Sequence, residues 1–250
     1  MDTEQQLKLQ EWSKDTVDCY LAEVRKVGEN NATSFYNQSD LSRVGECDLM
    51  IIGINPGVGC RYSEWGEKNN ITSDFLYFGN PCFKGKSDEE IINDLLEKYD
   101  PVKRTHGWDL YKKMRNILEK AGKGGVLKHL DRFVISNMVF FGTLKSKDIP
   151  KGIDKEKCAK QTLKLIEILK PKVIVLLGKE SRSLFKNVAG TQMKAITPDN
   201  TVFYCFYNDC HVISIYHTAY YRYYTNEKRG IIGNIIGNAL DNPSKKIEKI

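Results

Sequence analysis

Four short runs of apolar residues along the chain predict buried β-strands. All four are rich in β-branched residues and lack a strict alternation of apolar and polar positions, which is the pattern of strands covered on both faces. These runs are Asp48–Ile54, Arg132–Phe140, Lys172–Leu177 and Val212–Tyr216. The segment Thr201–Tyr207 is a candidate for an additional edge strand.

Helical spacing of apolar residues fills the stretches before and between these strands. Leu7–Val27 has this spacing and precedes a polar, Asn-rich segment, Gly28–Ser42, that we expect to be a loop. Four further helical segments follow along the chain: Asp88–Tyr99, Trp108–Ala121, Asp154–Lys170 and Glu180–Val188. Strands that alternate with helices predict an α/β fold with a mainly parallel sheet and helices on both of its faces.

The chain shows no internal repeat and no linker, so we expect one domain over residues 1–250, with the helix at 5–28 and the tail at 242–250 as appendages. The length of 250 residues, with 41% apolar side chains, suffices to bury a core and excludes a disordered or collagen-like chain. No apolar run is long enough to span a bilayer, and the amino-terminal stretch lacks a secretory pattern. We therefore expect a cytoplasmic monomer (nucleoid-associated, or nuclear in a eukaryote) with no membrane partner.

Cysteine usage and charge narrow the function classes. The seven cysteines form no CxxC pair, which favours reduced thiols over a disulfide framework, a zinc site or an iron–sulfur cluster. The first 47 residues hold five basic and nine acidic side chains, whereas the rest holds 33 basic and 23 acidic ones. A basic body is typical of proteins that bind a polyanion, of which nucleic acid is the commonest.

Candidate chemistry is expected where the strands end, because ligands of open parallel sheets bind beyond the carboxyl ends of the strands. The first strand ends in a turn, Gly53-Ile54-Asn55-Pro56-Gly57, that can approach a ligand closely. Asn55 is the polar group at this tip, and it either serves a site or merely caps its own turn. The spacing of a Rossmann dinucleotide loop is absent.

The next two strand ends also carry polar residues. Asn137 interrupts an apolar strand and either reads the edge of a base or is a buried amide satisfied by backbone. Gly178, Lys179 and Ser181 begin a helix after the third strand, where they either bind a phosphate or form an ordinary strand-to-helix turn.

The fourth strand ends in an unusual cluster of a histidine, tyrosines and an arginine. His217 and Thr218 are followed by Tyr220, Tyr221 and Arg222. Aromatic rings stack on bases and arginine binds phosphate, so the cluster suits nucleic acid. The alternative is a tyrosine-rich packing segment in which His217 is merely hydrogen-bonded.

Taken together and in order, these pieces resemble the uracil-DNA glycosylase superfamily, in particular its mismatch-specific uracil and thymine glycosylases. The residues Gly53–Gly57, GINPG, look like the first motif of that family, and Tyr216–Arg222, YHTAYYR, resemble the second. Leu169–Ser181 resembles the strand and loop between them. The likeness spans roughly residues 47–225.

The resemblance implies a three-layer αβα sandwich around a four-stranded parallel sheet. It also implies a monofunctional DNA glycosylase that flips a damaged, mismatched or modified base out of DNA and hydrolyses its N-glycosidic bond without a metal or other cofactor. The DNA partner is then a duplex with a flipped base or a single strand.

By the same resemblance, Asn55 positions the attacking water and His217 donates to the anion that develops on the base. Asn137 binds the base edge, in a pocket with Gly53, Ile54, Pro56 and Gly57, and Phe83 stacks on the base. The resemblance assigns the DNA contacts to six residues. Some of them would fill the gap that the flipped base leaves in the DNA base stack, and others would bind the DNA backbone: Lys179, Ser181, Thr218, Tyr220, Tyr221 and Arg222.

Two departures from the family pattern affect what this chain does. Members with fast uracil excision often carry Asp where Asn55 stands, so catalysis here is expected to be slower or to need a labile bond. The long segment Val58–Cys82 is expected to reshape the pocket for a base other than uracil, so uracil-like bases and modified cytosines are both retained as candidate substrates. A non-catalytic DNA- or nucleotide-binding module with the same fold is the alternative, and a Rossmann-type nucleotide-processing enzyme is a more distant one.

Overall fold

A single twisted sheet forms the centre of the protein in this computed structural model, which describes residues 3–56, 86–96, 109–143 and 146–249. The four predicted apolar runs form strands, and two more strands lie between the third and the fourth run. The strands are β1 Leu49–Gly53, β2 Phe133–Asn137, β3 Val173–Leu177, β4 Lys194–Ala195, β5 Phe203–Tyr207 and β6 Cys210–Ile215.

The sheet order is β2-β1-β3-β6-β5-β4, in which the first four strands are parallel and the last two are antiparallel to their neighbours. The predicted four-stranded parallel sheet is thus confirmed, but the whole sheet has six strands. The reason lies in the turn Asn208–Asp209, where φ is positive at both residues. Such a two-residue turn closes a tight β-hairpin, which adds β5 beside β6, and β4 then covers the outer edge of β5.

Six helices pack on the described part of this sheet. They are α1 Thr3–Val27, α2 Asp88–Leu96, α3 Asp109–Glu119, α4 Lys155–Leu169, α5 Gly178–Ala189 and α6 Asn226–Asp241. The sequence pattern predicted all of them except α6, whose glycines lower its helix propensity. At Gly233 the close packing of α6 on α3 requires a glycine, because any Cβ there would overlap the Ile117 carbonyl oxygen.

Alternate residues of the strands feed two apolar cores, one on each face of the sheet. Met50 and Ile52 of β1 belong to the core that includes side chains of α1, α2, α4 and α5, whereas Leu49 and Ile51 belong to the core with α3 and α6. The fold is therefore the expected three-layer αβα sandwich. Within the described residues, no helix is long and apolar enough to cross a membrane.

The described parts of the two predicted appendages both contact the body of the protein. Helix α1 buries Leu9, Trp12 and Val17 among the side chains of the first core. At the other end of the chain, the Ile247 backbone N–H donates to the Tyr204 hydroxyl at 3.3 Å. Both terminal segments thus make long-range contacts, which a local pattern of residues does not reveal.

Tyr20 of α1 holds the segment that follows β2. Its ring packs against three phenylalanines, Phe35, Phe140 and Phe141, with ring centroids 4.9–5.4 Å away. Its fully buried hydroxyl accepts a hydrogen bond from the Phe140 backbone N–H at 2.8 Å. The helix thereby helps to fix a piece of backbone that lies beyond the end of β2, where Phe141 also forms an isolated antiparallel β-bridge with Phe35.

We expect Tyr20→Phe to lower the free energy of unfolding by about 1–3 kcal/mol, because the buried Phe140 N–H loses its acceptor. Urea denaturation of the variant beside the wild-type protein measures this change. Tyr220→Phe removes an exposed hydroxyl and is the matched control, for which we expect almost no change. Equal stability of the two variants would contradict the importance of the Tyr20 hydroxyl.

Candidate active site

The carboxyl ends of the four parallel strands lie along one edge of the sheet and bring the predicted motifs together. Gly53 at the end of β1 pairs in register with Asn137 at the end of β2. At the end of β3, a Cβ placed on Gly178 would lie 3.4 Å from the Cβ of His217, which follows β6. Asn137 therefore ends β2 and Asn55 follows the adjacent strand β1, whereas His217 follows β6, which is separated from β1 by β3.

The amide nitrogen of Asn55 is held by three oxygen acceptors. Nδ2 lies 2.6 Å from the Thr143 hydroxyl, 3.0 Å from the Pro56 carbonyl and 3.2 Å from the Phe141 carbonyl. Two of these are carbonyl oxygens, which can only accept hydrogen bonds. The NH2 group of the Asn55 amide must therefore face them, and its oxygen must point away. Among the described residues no hydrogen bond uses Oδ1, which leaves this oxygen available as an acceptor at the half-buried strand end.

Two of these acceptors, those of Phe141 and Thr143, belong to a segment, Phe140–Thr143, that is itself held by backbone hydrogen bonds. The Gly142 N–H donates to the Ser34 carbonyl at 2.8 Å, and the Thr143 N–H donates to the Pro56 carbonyl at 3.0 Å. Pro56 is buried. The predicted motif residue Pro56 thus ties the two segments together through its carbonyl.

Asn137 is 2% exposed and hydrogen-bonded through both its side chain and its backbone. Its Nδ2 donates to Oε1 of Gln38 at 2.8 Å, while its carbonyl accepts from the Thr162 hydroxyl at 2.8 Å. The Oδ1 atom lies on the side of Gly53, where a Cβ would come within 2.8 Å of it. Gly53 was predicted to bind substrate, and the structure shows it making room for the Asn137 amide.

The Asn-rich loop after α1 forms one wall beside β2. Ser39 donates to the Ile135 carbonyl at 3.1 Å and accepts from the Ile135 N–H at 2.7 Å, in the manner of a neighbouring strand. This pairing places Gln38 against Asn137. Gln38 and Thr143 are site residues that the sequence interpretation missed, because no local motif marks a residue that acts only through a distant contact.

His217 is held as one tautomer by the backbone that follows it. The Ala219 N–H donates to Nδ1 at 3.0 Å, so Nδ1 is the acceptor and the neutral ring carries its proton on Nε2. Burial, together with the positive charge of Lys113, lowers the pKa of His217 below its ordinary value. The ring is therefore neutral at neutral pH and presents an N–H donor.

The predicted DNA-binding residues divide into exposed and buried ones. Lys179, Arg222 and Tyr220 are exposed, the last of them by 61%. Thr218, in contrast, is 2% exposed. Ser181 is fully buried and its hydroxyl donates to the Leu177 carbonyl at 2.7 Å, so the expectation that it holds a phosphate is not supported.

Other predicted residues lie outside what the structure describes. Gly57, Phe83 and the segment Val58–Cys82 fall between the described ranges, and for Tyr221 only the backbone is described. Ile54 is half-buried, and its carbonyl accepts from the Val139 N–H at 2.9 Å. Across the described ranges, no group of three or more His, Cys, Asp or Glu side chains is arranged to hold a metal ion.

We expect Gly53→Ala to cost about 1–3 kcal/mol of stability, because its new methyl group overlaps the Asn137 side chain. Thermal unfolding measures the cost. The decisive control is a double-mutant cycle, in which the same substitution in an Asn137→Ala background costs clearly less. Gly230→Ala, at a position with open space around it, serves as a second control. An equal cost in both backgrounds would disprove the contact.

We expect Lys113→Met to raise the pKa of His217, because one of the two causes of its lowering is removed while burial remains. Titration of the imidazole nitrogens by NMR gives this pKa and also reports the tautomer. Lys112→Met, one residue along the same helix, is the control and should leave the pKa where it is. A wild-type ring protonated on Nδ1 at neutral pH would contradict the assignment above.

Comparisons with known proteins agree with this geometry. No curated protein matches the chain. The family model of the uracil DNA glycosylase superfamily matches residues 41–232, which is most of the chain and includes all four parallel strands with their carboxyl ends. The chain therefore belongs to the uracil DNA glycosylase superfamily.

Proposed function

We propose that the protein is a monofunctional DNA glycosylase, which hydrolyses the N-glycosidic bond of a flipped base and leaves an abasic site. The observation that carries this proposal is the orientation of Asn55. Its Nδ2 atom is used by three acceptors, and within the described ranges its Oδ1 atom has no hydrogen bond, so that this oxygen can accept one from a water molecule.

In this reaction the bond between C1′ of the sugar and the base nitrogen breaks, and the base leaves with the electron pair. The water oxygen then bonds to C1′ and one water proton passes to solvent. An amide is too weak a base to remove that proton itself, so Asn55 acts by positioning. The fixed amide orientation supports this role because it requires no rearrangement when the water binds.

His217 acts on the leaving base. The neutral ring donates from Nε2–H, and a hydrogen bond to a base oxygen strengthens as negative charge develops there. Two features support this role: the Ala219 N–H holds Nδ1 as an acceptor, and burial together with Lys113 disfavours a second proton on the ring.

Asn137 is the residue that reads the base edge in this proposal. Its Nδ2 donates to Gln38, and in the described parts of the chain no hydrogen bond uses its Oδ1, which is the atom we assign to a donor on the substrate. An N–H donor at this position suits a uracil-like base or a modified pyrimidine that carries one. The lesion itself stays open between uracil-like bases and modified cytosines, because Val58–Cys82 is also expected to shape the pocket.

A DNA-binding module without catalysis is the second candidate. The observation that favours it is the absence of a carboxylate in the motif around Asn55, since an amide cannot deprotonate water. A nucleotide-processing enzyme is less favoured, because a free nucleotide does not need exposed cations such as Lys179 and Arg222 outside the pocket.

The test is base release from oligonucleotide duplexes that carry uracil, hypoxanthine, mismatched thymine or modified cytosines, followed as abasic sites. We expect release from at least one of them. Asn55→Ala and His217→Ala should each slow release by about a hundredfold or more, in line with the loss of a positioned water or of a transition-state donor.

Matched controls separate these roles from general damage to the fold. Asn234→Ala and His129→Ala remove the same side chains at exposed positions and should release base at the wild-type rate. Tight binding of every duplex without any release would favour the binding module. Wild-type rates in the Asn55 and His217 variants would refute the assigned roles.

A further inference from the structure

Three tyrosines near His217 form an exposed aromatic surface. Large apolar side chains that are exposed are few in the described part of the chain: Leu7, Tyr216, Tyr220, Tyr223 and Ile231. Three of these five are tyrosines that immediately flank His217 in sequence, with exposures of 44%, 61% and 60% in chain order. Exposed aromatic rings that cluster in this way are typical of a binding surface.

The rings of Tyr216, Tyr220 and Tyr223 contact one another. Tyr216 and Tyr223 stack with centroids 5.7 Å apart and planes inclined by 29°, and Tyr220 meets Tyr223 edge-on at 6.4 Å. We call these three rings the tyrosine platform. Its aromatic faces are of the size and kind on which nucleobases stack.

Backbone contacts hold the platform in place. The Tyr224 hydroxyl donates to the Tyr216 carbonyl, and the Tyr220 N–H donates to the His217 carbonyl at 2.9 Å. The Thr225 side chain then caps α6 by accepting from the Lys228 N–H at 3.2 Å. A surface fixed in this way loses little conformational freedom when a ligand stacks on it.

Positive charge accompanies the rings. The Arg182 guanidinium lies 3.5 Å from the centroid of the Phe203 ring, on the strand β5 that pairs with β6 just before Tyr216. Arg222 lies within the platform segment and is exposed. Aromatic faces beside cations complement a strand of nucleic acid, whose bases are flat and whose backbone is anionic.

We propose that the tyrosine platform stacks on unpaired bases next to the target nucleotide, so that the preferred substrate is single-stranded or locally opened DNA. In an intact duplex both faces of each base are covered by its neighbours, and only an unpaired base offers a face to a protein ring. This inference extends the proposed function, because the platform adjoins the strand end that carries His217.

The test is binding, which does not require catalysis. Fluorescence anisotropy compares a single-stranded oligothymidine, an abasic oligonucleotide with the same number of phosphates, and a fully paired duplex without lesions. We expect the wild-type protein to bind oligothymidine more tightly than the other two. Tyr216→Ala and Tyr223→Ala should each weaken oligothymidine binding about tenfold and leave binding of the abasic backbone unchanged.

Conservative variants and a control complete the design. Tyr216→Phe and Tyr223→Phe keep the rings and should bind oligothymidine like the wild-type protein, and Ile231→Ala removes another exposed apolar side chain and should do the same. Equal weakening on oligothymidine and on the abasic backbone would overturn the stacking role, and so would wild-type binding by the alanine variants. Self-association that the alanine variants abolish, with DNA binding intact, would assign the platform to a second copy of this chain.

The outcomes also separate this inference from the proposed function. If no lesion is released but the alanine variants lose affinity for oligothymidine alone, the platform stands and the glycosylase proposal fails. If a lesion is released at equal rates from single strands and duplexes by the wild-type protein and the alanine variants, the glycosylase proposal stands and the platform fails.

Discussion

The hydrogen bonds between Asn55 and the segment Phe140–Thr143 are the contacts on which the candidate site depends. They join the segments that follow two neighbouring strands, β1 and β2, and they set the orientation of the Asn55 amide. The segment is in turn held by Tyr20 of α1, whose hydroxyl accepts a hydrogen bond from the Phe140 N–H. A helix on the face of the sheet thus fixes the geometry of a polar group at its edge, through two layers of buried contacts.

The fold also separates the acidic amino-terminal part of the sequence from the basic remainder in function. Helix α1 in the amino-terminal region is built into the αβα sandwich, where its apolar side chains support the sheet. Exposed cations and rings follow the strand ends, at Lys179, Tyr220, Arg222 and Tyr223. The part of the chain that carries the net positive charge therefore also carries the candidate site.

The sequence predicted those parts of the fold whose signal is local. Buried strands and amphipathic helices carry periodic patterns, and the family motifs at the strand ends gave Asn55, Asn137 and His217. Helix α6 was missed because its glycines serve contact with α3, which overrides propensity. Gln38 and Thr143 were missed because their roles arise only when distant segments meet. The burial of Ser181 could not be foreseen either, because its hydroxyl donates to the Leu177 carbonyl at the end of β3.

The amide at position 55 is a consequence of its surroundings. Aspartate at the same place would set a carboxylate oxygen against the Pro56 and Phe141 carbonyls, and none of these three groups carries a hydrogen to donate. The resulting repulsion would disfavour the charged form, which is the form able to accept a proton from water. An acid at this position would therefore be favoured in its protonated form, whose single O–H replaces the two N–H donors of the amide. The segment Phe140–Thr143, which α1 holds through Tyr20, thus favours an amide at position 55.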